Sequence, residues 1–400
     1  MLATKVDRIA EAVSRLGAES AFEVLARARA LQAQGRRVVH MEIGEPDFDT
    51  PDHIKEAGIK SIRENNTHYS PSAGIVELRD VIAAFASKFR GVEAFGAENV
   101  VVSPGAKPII WNTLSAILSP GDEFIYFDPA YPAYGSCSNY LGANVTAIPL
   151  QESRNWRMDL DELERRVSDR TRAIMINSPH NPTGGVLTQE DLERIAALAI
   201  EHDVLVISDE IYSRNFYESH FRSIVTIPGM RERTIIVDGF SKAYAMTGWR
   251  LGYAIMPAHL AKVVTLFNNN TFSCTPVFVQ HAGIAALLGP DEPVRRMNET
   301  FRERRDRLVN GLNDIPGISC TMPEGAFYAF PNISRVTADD TALAAFLLQE
   351  GGVACLGGSA FGAAGRGYLR FSYAASLDDI DFALEQIRRC VPLFEKSGRS

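Results

Sequence analysis

Lys242 lies in GFSKAYAMTGWRLGY (239–253), with Ser241 before it, small and aromatic residues after it, and Arg250 eight positions on. A lysine set apart from the charged texture of a surface helix is a candidate for burial, and burial lowers its pKa toward that of a usable nucleophile. Arg250 adds a rigid guanidinium fork that suits a phosphate or carboxylate. A second anion-binding feature is SPGAK (103–107), a strand end that turns through small residues into KPIIWNTLSAIL. Backbone N–H groups at such a helix start can hold a phosphate, although read alone the stretch is an ordinary βα turn. Lys107 opposes the helix dipole there and suits an anion.

SDEIY (208–212) sets Asp209 after an apolar run. Such a carboxylate usually ends solvated or caps the next helix; at the base of a pocket it holds a protonated ring nitrogen through a charge-assisted hydrogen bond, and Tyr212 projects near the same place. NSPHNPTGG (177–185), with Asn181 inside it, is turn chemistry and reads as a loop on its own terms. YLRFSY (368–373) places Arg370 in a period-2 apolar strand, where a charge is costly unless paired, and a bound carboxylate would pair it. The residues therefore ask for a phosphate site, an activated lysine and a carboxylate-binding arginine.

Several elements must position these groups. Short β-branched runs alternate with helical segments: NVVVSP (99–104), EFIYFDP (123–129), NVTAIPL (144–150), RAIMINSP (172–179), VLVISDE (204–210) and TIIVDGF (234–240). This alternation predicts an α/β fold, and apolar residues on both parities predict strands buried on both faces of a mainly parallel sheet. The helix over 188–203 opens on a capping box from Thr188 to Asp191. After about residue 290 a long charged amphipathic helix (293–314) precedes the strand-like GAFYAF and YLRFSYA and helical patterns at 339–350 and 377–390, which predicts a second, smaller α/β lobe. Before residue 50, AFEVLARARALQAQG forms a helix ended by glycine and then a short strand into GEPDFDTP. The chemistry-bearing loops fall at strand carboxyl ends, where ligands bind in open α/β sheets.

The composition narrows the partners. With 41 Lys plus Arg against 49 Asp plus Glu the chain carries a net charge of −8, which disfavours nucleic acid and leaves small-molecule chemistry open. Cys137, Cys274, Cys320, Cys355 and Cys390 are scattered, with no pattern for structural zinc or a disulfide framework, so no metal is expected. The N-terminus lacks a signal-peptide pattern and no run approaches the roughly 20 apolar residues of a membrane span, so no membrane partner and a cytoplasmic location are expected.

Taken in order, GEPDFDTP (44–51), YSPSAGIVELR (69–79), NSPHNPTG, SDEIY, GFSKAYAMTGWRLGY, EGAFYAFPN (324–332), LGGSAFG (356–362) and GYLRFSYA resemble the fold-type-I pyridoxal-phosphate aminotransferases, specifically the bacterial aspartate aminotransferase branch of class I. The resemblance covers nearly the whole chain. It implies a large cofactor-binding domain at 49–290 with a mainly parallel seven-stranded sheet covered by helices, a smaller α/β domain at 291–400, and an N-terminal segment at 1–48 that joins the small domain and a dimer contact.

The resemblance also implies roles. Lys242 would form a Schiff base with pyridoxal phosphate and then serve as general base and acid. Asp209 would pair with the pyridinium nitrogen, and Asn181 and Tyr212 would hydrogen-bond the phenolic oxygen. Tyr131 would stack on the ring. The phosphate would be held by backbone at Gly105, Ala106 and Lys107, by Ser241 and Arg250, and by Tyr69 from the neighbouring subunit of a homodimer. Arg370 would grip the substrate α-carboxylate with help from Asn181 and the backbone of Gly44, and Lys107 would meet the distal carboxylate of an acidic substrate.

The expected activity is therefore transamination between an L-amino acid, aspartate or glutamate, and a 2-oxo acid such as 2-oxoglutarate. Three departures from the branch bear on substrate choice: Tyr131 stands where Trp is frequent, Gly357 where Pro is common, and Pro108 where Gln is usual. Alternatives left open are aromatic, alanine or prephenate-type substrates, a carbon–sulfur β-lyase on the same scaffold, and a regulatory module that keeps only the fold. The last is disfavoured by the joint presence of Lys242, Asp209, Tyr212, Arg250 and Arg370.

Overall fold

A computed structural model describes residues 9–17, 20–218 and 220–396. Parts of the expected N-terminal segment, at 1–8 and 18–19, lie outside the described residues. Thirteen strands occur among the described residues. They are β1 (Val39–His40), β2 (Val100–Ser103), β3 (Glu123–Asp128), β4 (Asn144–Gln151), β5 (Arg157–Met158), β6 (Thr171–Asn177), β7 (Leu205–Asp209), β8 (Thr234–Gly239), β9 (Gly252–Ile255), β10 (Tyr328–Ala329), β11 (Val353–Ala354), β12 (Leu356–Gly357) and β13 (Leu369–Ser372).

The main sheet runs β2-β9-β8-β7-β6-β3-β4-β5. Six of its strands run parallel to one another; β9 runs against both its neighbours, and the two-residue β5 closes the far edge antiparallel to β4. It is the expected mainly parallel sheet of seven strands with a short edge addition. Its apolar strands are buried on both faces because period-2 side chains feed two cores. Val100, Val102, Ile236, Tyr253 and Ile255 enter one cluster with Leu78 and Ile82, whereas Val101, Ile235, Val237 and Ala254 enter another with Ile109 and Leu114.

The six strands predicted from sequence all form, with ends shifted by one or two residues. The sequence reading assigns no strand to Gly252–Ile255, because four apolar residues after a turn have no distinctive period. In the structure β9 fills the gap between β2 and β8, pairing residue for residue with both. The capping box forms as expected, with Thr188 Oγ1 accepting from the Asp191 N–H and the Asp191 carboxylate accepting from the Thr188 N–H at the start of helix Gln189–Glu201.

Beyond the sheet, helix Glu292–Asn313 and helix Leu377–Lys396 pack with the antiparallel sheet β10-β13-β12 around Phe301, Leu308, Phe327, Phe371 and Phe394. The stretch before residue 50 is divided: β1 pairs in parallel with β11, and Ala28, Leu31 and Val38 pack with Leu348 and Ala354 of this part, whereas Arg15 and Gly17 hydrogen-bond to helix Ala133–Tyr140 beside the main sheet, at the Tyr140 carbonyl and Ser136 Oγ. The predicted 339–350 helix is shorter, Asp340–Phe346, and runs into a wide π turn over Leu347–Gly351 ended by Gly352 in the left-handed region.

Candidate active site

Because β2, β3, β6, β7 and β8 share one direction, their carboxyl ends lie along one edge of the sheet. The segments that follow them carry, in turn, Gly105 to Lys107, Tyr131, Asn181, Asp209 to Tyr212, and Ser241 with Lys242. The antiparallel β9 begins at the same edge, so Arg250 just before it joins them. Gly252 faces both Ser103 and Gly239, and the space a side chain there would need is taken by the backbone of Gly105 and Ala106. Two glycines thus let the 103–107 turn approach β9 closely. Gly105 has φ +96°, and a Cβ on it would run into the Arg250 guanidinium.

These groups surround a cavity of about 530 Å³ lined by Gly44, Ala106, Lys107, Tyr131, Asn181, Asp209, Tyr212, Ser241, Lys242, Arg250 and Arg370. Gly105 lies just behind the wall, under Arg250. Tyr69 is 90% exposed and is not among the lining residues.

Lys242 donates to the Gly44 carbonyl, and Phe327 and Tyr212 present ring faces 5.8 and 6.0 Å from its amine. Burial pulls its pKa down to about 8; the nearby Glu45 opposes this, and Arg370 and Arg250 add to it. A sizeable neutral fraction of this amine exists near pH 8, as a nucleophile or base requires. Asp209 is buried, and burial pushes its carboxyl up to about 6, against the hydrogen bonds it accepts from Tyr134 Oη (2.6 Å) and the Ile211 N–H (3.2 Å). A carboxylate held dry in this way is stabilised by any cation that enters beside it.

Tyr212 Oη and Tyr328 Oη lie 2.7 Å apart, and burial raises both phenols. Arg370, 4% exposed, donates from Nη1 to Asn181 Oδ1 at 3.3 Å and from Nη2 to the Glu42 carbonyl, with the Tyr328 and Phe361 rings 4.6 and 4.8 Å away. Asn181 is set by its own N–H, which donates to Asn177 Oδ1 at 2.9 Å. Lys107 is exposed at the mouth, its amine 5.6 Å from the Tyr131 ring centroid.

Three groups here were not read from the sequence: Tyr134, Asn177 and Tyr328. Tyr134 had a signal, being one helical turn beyond Tyr131 in DPAYPAY. Tyr328 had none, because its partner Tyr212 is 116 residues away.

The pattern of the family described as "Aminotransferase class I and II" matches residues 36–387. An aspartate aminotransferase of Musicola paradisiaca is 35% identical over 391 residues, 97% of this chain and 98% of that protein. An aromatic-amino-acid aminotransferase of Thermococcus litoralis is 37% identical over 361 residues, covering 89% and 92% of the two chains. The structure of the aspartate aminotransferase of Thermus thermophilus with maleate superposes with a TM-score of 0.92 at 35% identity, over 96% of this chain and 99% of that one. The fold is that of the fold-type-I enzymes, and the chain belongs to the class I and II aminotransferases. It is an aminotransferase of the EC 2.6.1 class, dependent on pyridoxal phosphate.

The residues present fit that cofactor. The glycine-lined cradle under Arg250 suits a phosphate, the enclosed amine of Lys242 suits an aldehyde, and the dry Asp209 carboxylate suits a protonated ring nitrogen. A stability consequence follows for the protein stripped of cofactor. The folded-state value of about 6 for Asp209 lies above the ordinary 3.8, so between these pH values the folded protein binds more protons than the unfolded chain, and stability falls as pH rises through the window. Asp209→Asn is expected to stabilise the stripped protein at pH 7.5 by up to about 3 kcal/mol and to change little at pH 3.5. Urea unfolding at the two pH values measures this, and an equal effect at both would disprove it.

Proposed function

We propose that the protein transfers the amino group of aspartate or glutamate to a 2-oxo acid such as 2-oxoglutarate, in two half reactions through one site. The single observation that carries the choice of acidic substrates is that the cavity is lined, besides Lys242 and Arg250, by two further cations: the buried Arg370 and the exposed Lys107. A dicarboxylate would meet both, with Arg370, Asn181 and the Gly44 backbone on the α-carboxylate and Lys107 on the distal one.

When bound, pyridoxal phosphate supplies the carbonyl carbon that takes up the amine and a ring that accepts the electrons of the α-carbon. Lys242 would hold the cofactor covalently, and its neutral Nζ, once released by substrate, would take the proton from the substrate's α-carbon as general base and give a proton back as general acid. Asp209 would keep a proton on the ring nitrogen, Asn181 and Tyr212 would donate to the phenolic oxygen, and Tyr131 would stack on the ring. Backbone N–H groups at Gly105, Ala106 and Lys107, with Ser241 and Arg250, would hold the phosphate. Tyr69 would complete that site from a second copy. A homodimer is supported by its 90% exposure and by the exposed apolar Ile59, Ile62, Val263 and Leu266 on helices Asp52–Arg63 and Ala258–Thr271. The division into an N-terminal segment, a large domain from 49 and a small one from 291 belongs to the same proposal.

Lys107→Ala is expected to lower kcat/KM for aspartate and glutamate by roughly tenfold to a hundredfold while leaving alanine and phenylalanine within about threefold, since one exposed charge contact is lost. Steady-state assays with 2-oxoglutarate decide it, and an equal loss for both groups removes Lys107 from the distal subsite. The apolar walls of Phe22, Leu356 and Phe361 favour aromatic substrates as the second reading. Phenylalanine outrunning aspartate in the parent protein would establish that one, and release of pyruvate from a β-substituted amino acid faster than amine transfer would mark a lyase.

A further inference from the structure

Directly behind the site lies a buried charge cluster to which no step above assigns a role. Arg90 ends helix Val76–Arg90, and its side chain is fully enclosed. Its Nε donates to Glu210 Oε2 at 2.7 Å and its Nη2 to Asp238 Oδ2 at 2.9 Å. Glu210 is 1% exposed and also accepts from Ser208 Oγ and Ser223 Oγ. Asp238 accepts from the Gly239 N–H and Ser213 Oγ and is hydrogen-bonded by Tyr253 across the β8–β9 pair.

The chain positions of these two carboxylates matter. Glu210 immediately follows Asp209, and Asp238 stands four residues before Lys242. Asp209 itself pairs in register with Val237, the residue before Asp238. One guanidinium therefore spans the ends of the two adjacent strands that deliver the two groups of the site. We infer that Arg90 is a positioning residue for the reaction: its fork, closed on Glu210 and Asp238, sets the spacing of Asp209 and Lys242, and the cluster's two carboxylates against one cation place excess negative charge behind the cofactor. The inference rests on the proposed roles of Asp209 and Lys242.

Such an arrangement is costly if its purpose is stability alone, because apolar residues of similar volume fill a buried space at least as well as a buried ion triad. The charge acts on groups that already face others. Tyr134 and Tyr212 face Asp209 within the cavity, and Glu45, Arg370 and Arg250 face Lys242. Removing one carboxylate from the cluster lowers the pKa of every group near it, whichever group titrates. Replacing Arg90 with lysine keeps the charge and loses the fork, since a single ammonium does not reproduce two fixed, divergent donors.

The test uses the holoenzyme and two readouts, the pH midpoint at which the cofactor's visible absorbance band changes and the dissociation constant for pyridoxal phosphate. Glu210→Gln and Asp238→Asn are each expected to lower the midpoint by about one pH unit. Arg90→Lys is expected to leave it within about 0.3 unit and to weaken cofactor binding about tenfold. A brace with only a structural role would lower the melting temperature of all three and leave the midpoint in place, and that result overturns the inference, as does cofactor binding by Arg90→Lys equal to that of the parent. If one carboxylate variant does not fold, the other decides. A parent protein that forms no visible band with added pyridoxal phosphate sinks the reading of Lys242 instead, which separates the two failures.

Discussion

Lys242→Ala is expected to lower the rate of both half reactions by about 10⁴-fold or more, the scale on which loss of a residue is felt when it is, as proposed for Lys242, both covalent anchor and proton carrier. The amine of Lys242 is enclosed in the cavity and its pKa is brought down to about 8, which suits both proposed jobs. Tyr212 is a phenol raised well above its ordinary range, and Asp209 faces Tyr134 from the end of β7. The variant should still bind the cofactor without the covalent link, because Arg250, Ser241 and Asp209, the other groups proposed to hold it, remain. Removing a desolvated amine that donates to the Gly44 carbonyl should not unfold the chain. Single-turnover absorbance with aspartate and then 2-oxoglutarate measures the loss. A variant within tenfold of the parent would mean that the proton is carried by another group.

Arg370→Ala has the second-largest expected effect, a fall of about 10³-fold in kcat/KM for every amino acid tested. This is the scale of removing one partner from a buried, hydrogen-bonded charge pair, about 3–5 kcal/mol. The guanidinium is held dry between two aromatic rings, the Asn181 side chain and the Glu42 backbone, so its orientation is set before substrate arrives. Arg370→Lys keeps the charge but not the fork and should recover part of the loss. The contrast with Lys107→Ala is the discriminating feature. All amino acids share the α-carboxylate, so Arg370 should matter equally to aspartate and phenylalanine, whereas Lys107 should matter only to acidic substrates. A loss at Arg370 confined to acidic substrates would reverse the two assignments.

Much of this arrangement is legible in the sequence. SDEIY and GFSKAYAMTGWRLGY stood after apolar runs whose double-faced pattern predicts buried parallel strands, and such strands present their following loops at one edge. Arg370 was legible for a different reason, since a charge inside a period-2 apolar strand demands a partner. The helix over 189–201 could be bounded to within two residues because its capping box uses side chains three positions apart. What escaped were features with no local signature. The strand Gly252–Ile255 is too short for its period to be recognised, yet it seats Arg250 over Gly105 and lets two glycines bring the 103–107 turn against the sheet. The pairing of Tyr212 with Tyr328, the hydrogen bond from Tyr134 to Asp209 and the closure of Arg90 on Glu210 and Asp238 each join residues more than 70 positions apart.

By itself, then, the sequence determined most of the segments that become strands and helices, which loops carry the glycines, the lysine and the arginine of the candidate site, and hence the α/β class and the family. These are properties of contiguous residues, expressed through periodicity, capping and the cost of burying a charge. The tertiary structure decided which strands are neighbours, and with that how dry Lys242 and Asp209 become and which phenols and guanidiniums stand beside them. Desolvation and Coulomb interactions depend on distance through space, and only the order and direction of strands in the closed sheet turn distant positions in the chain into contacts of a few ångströms.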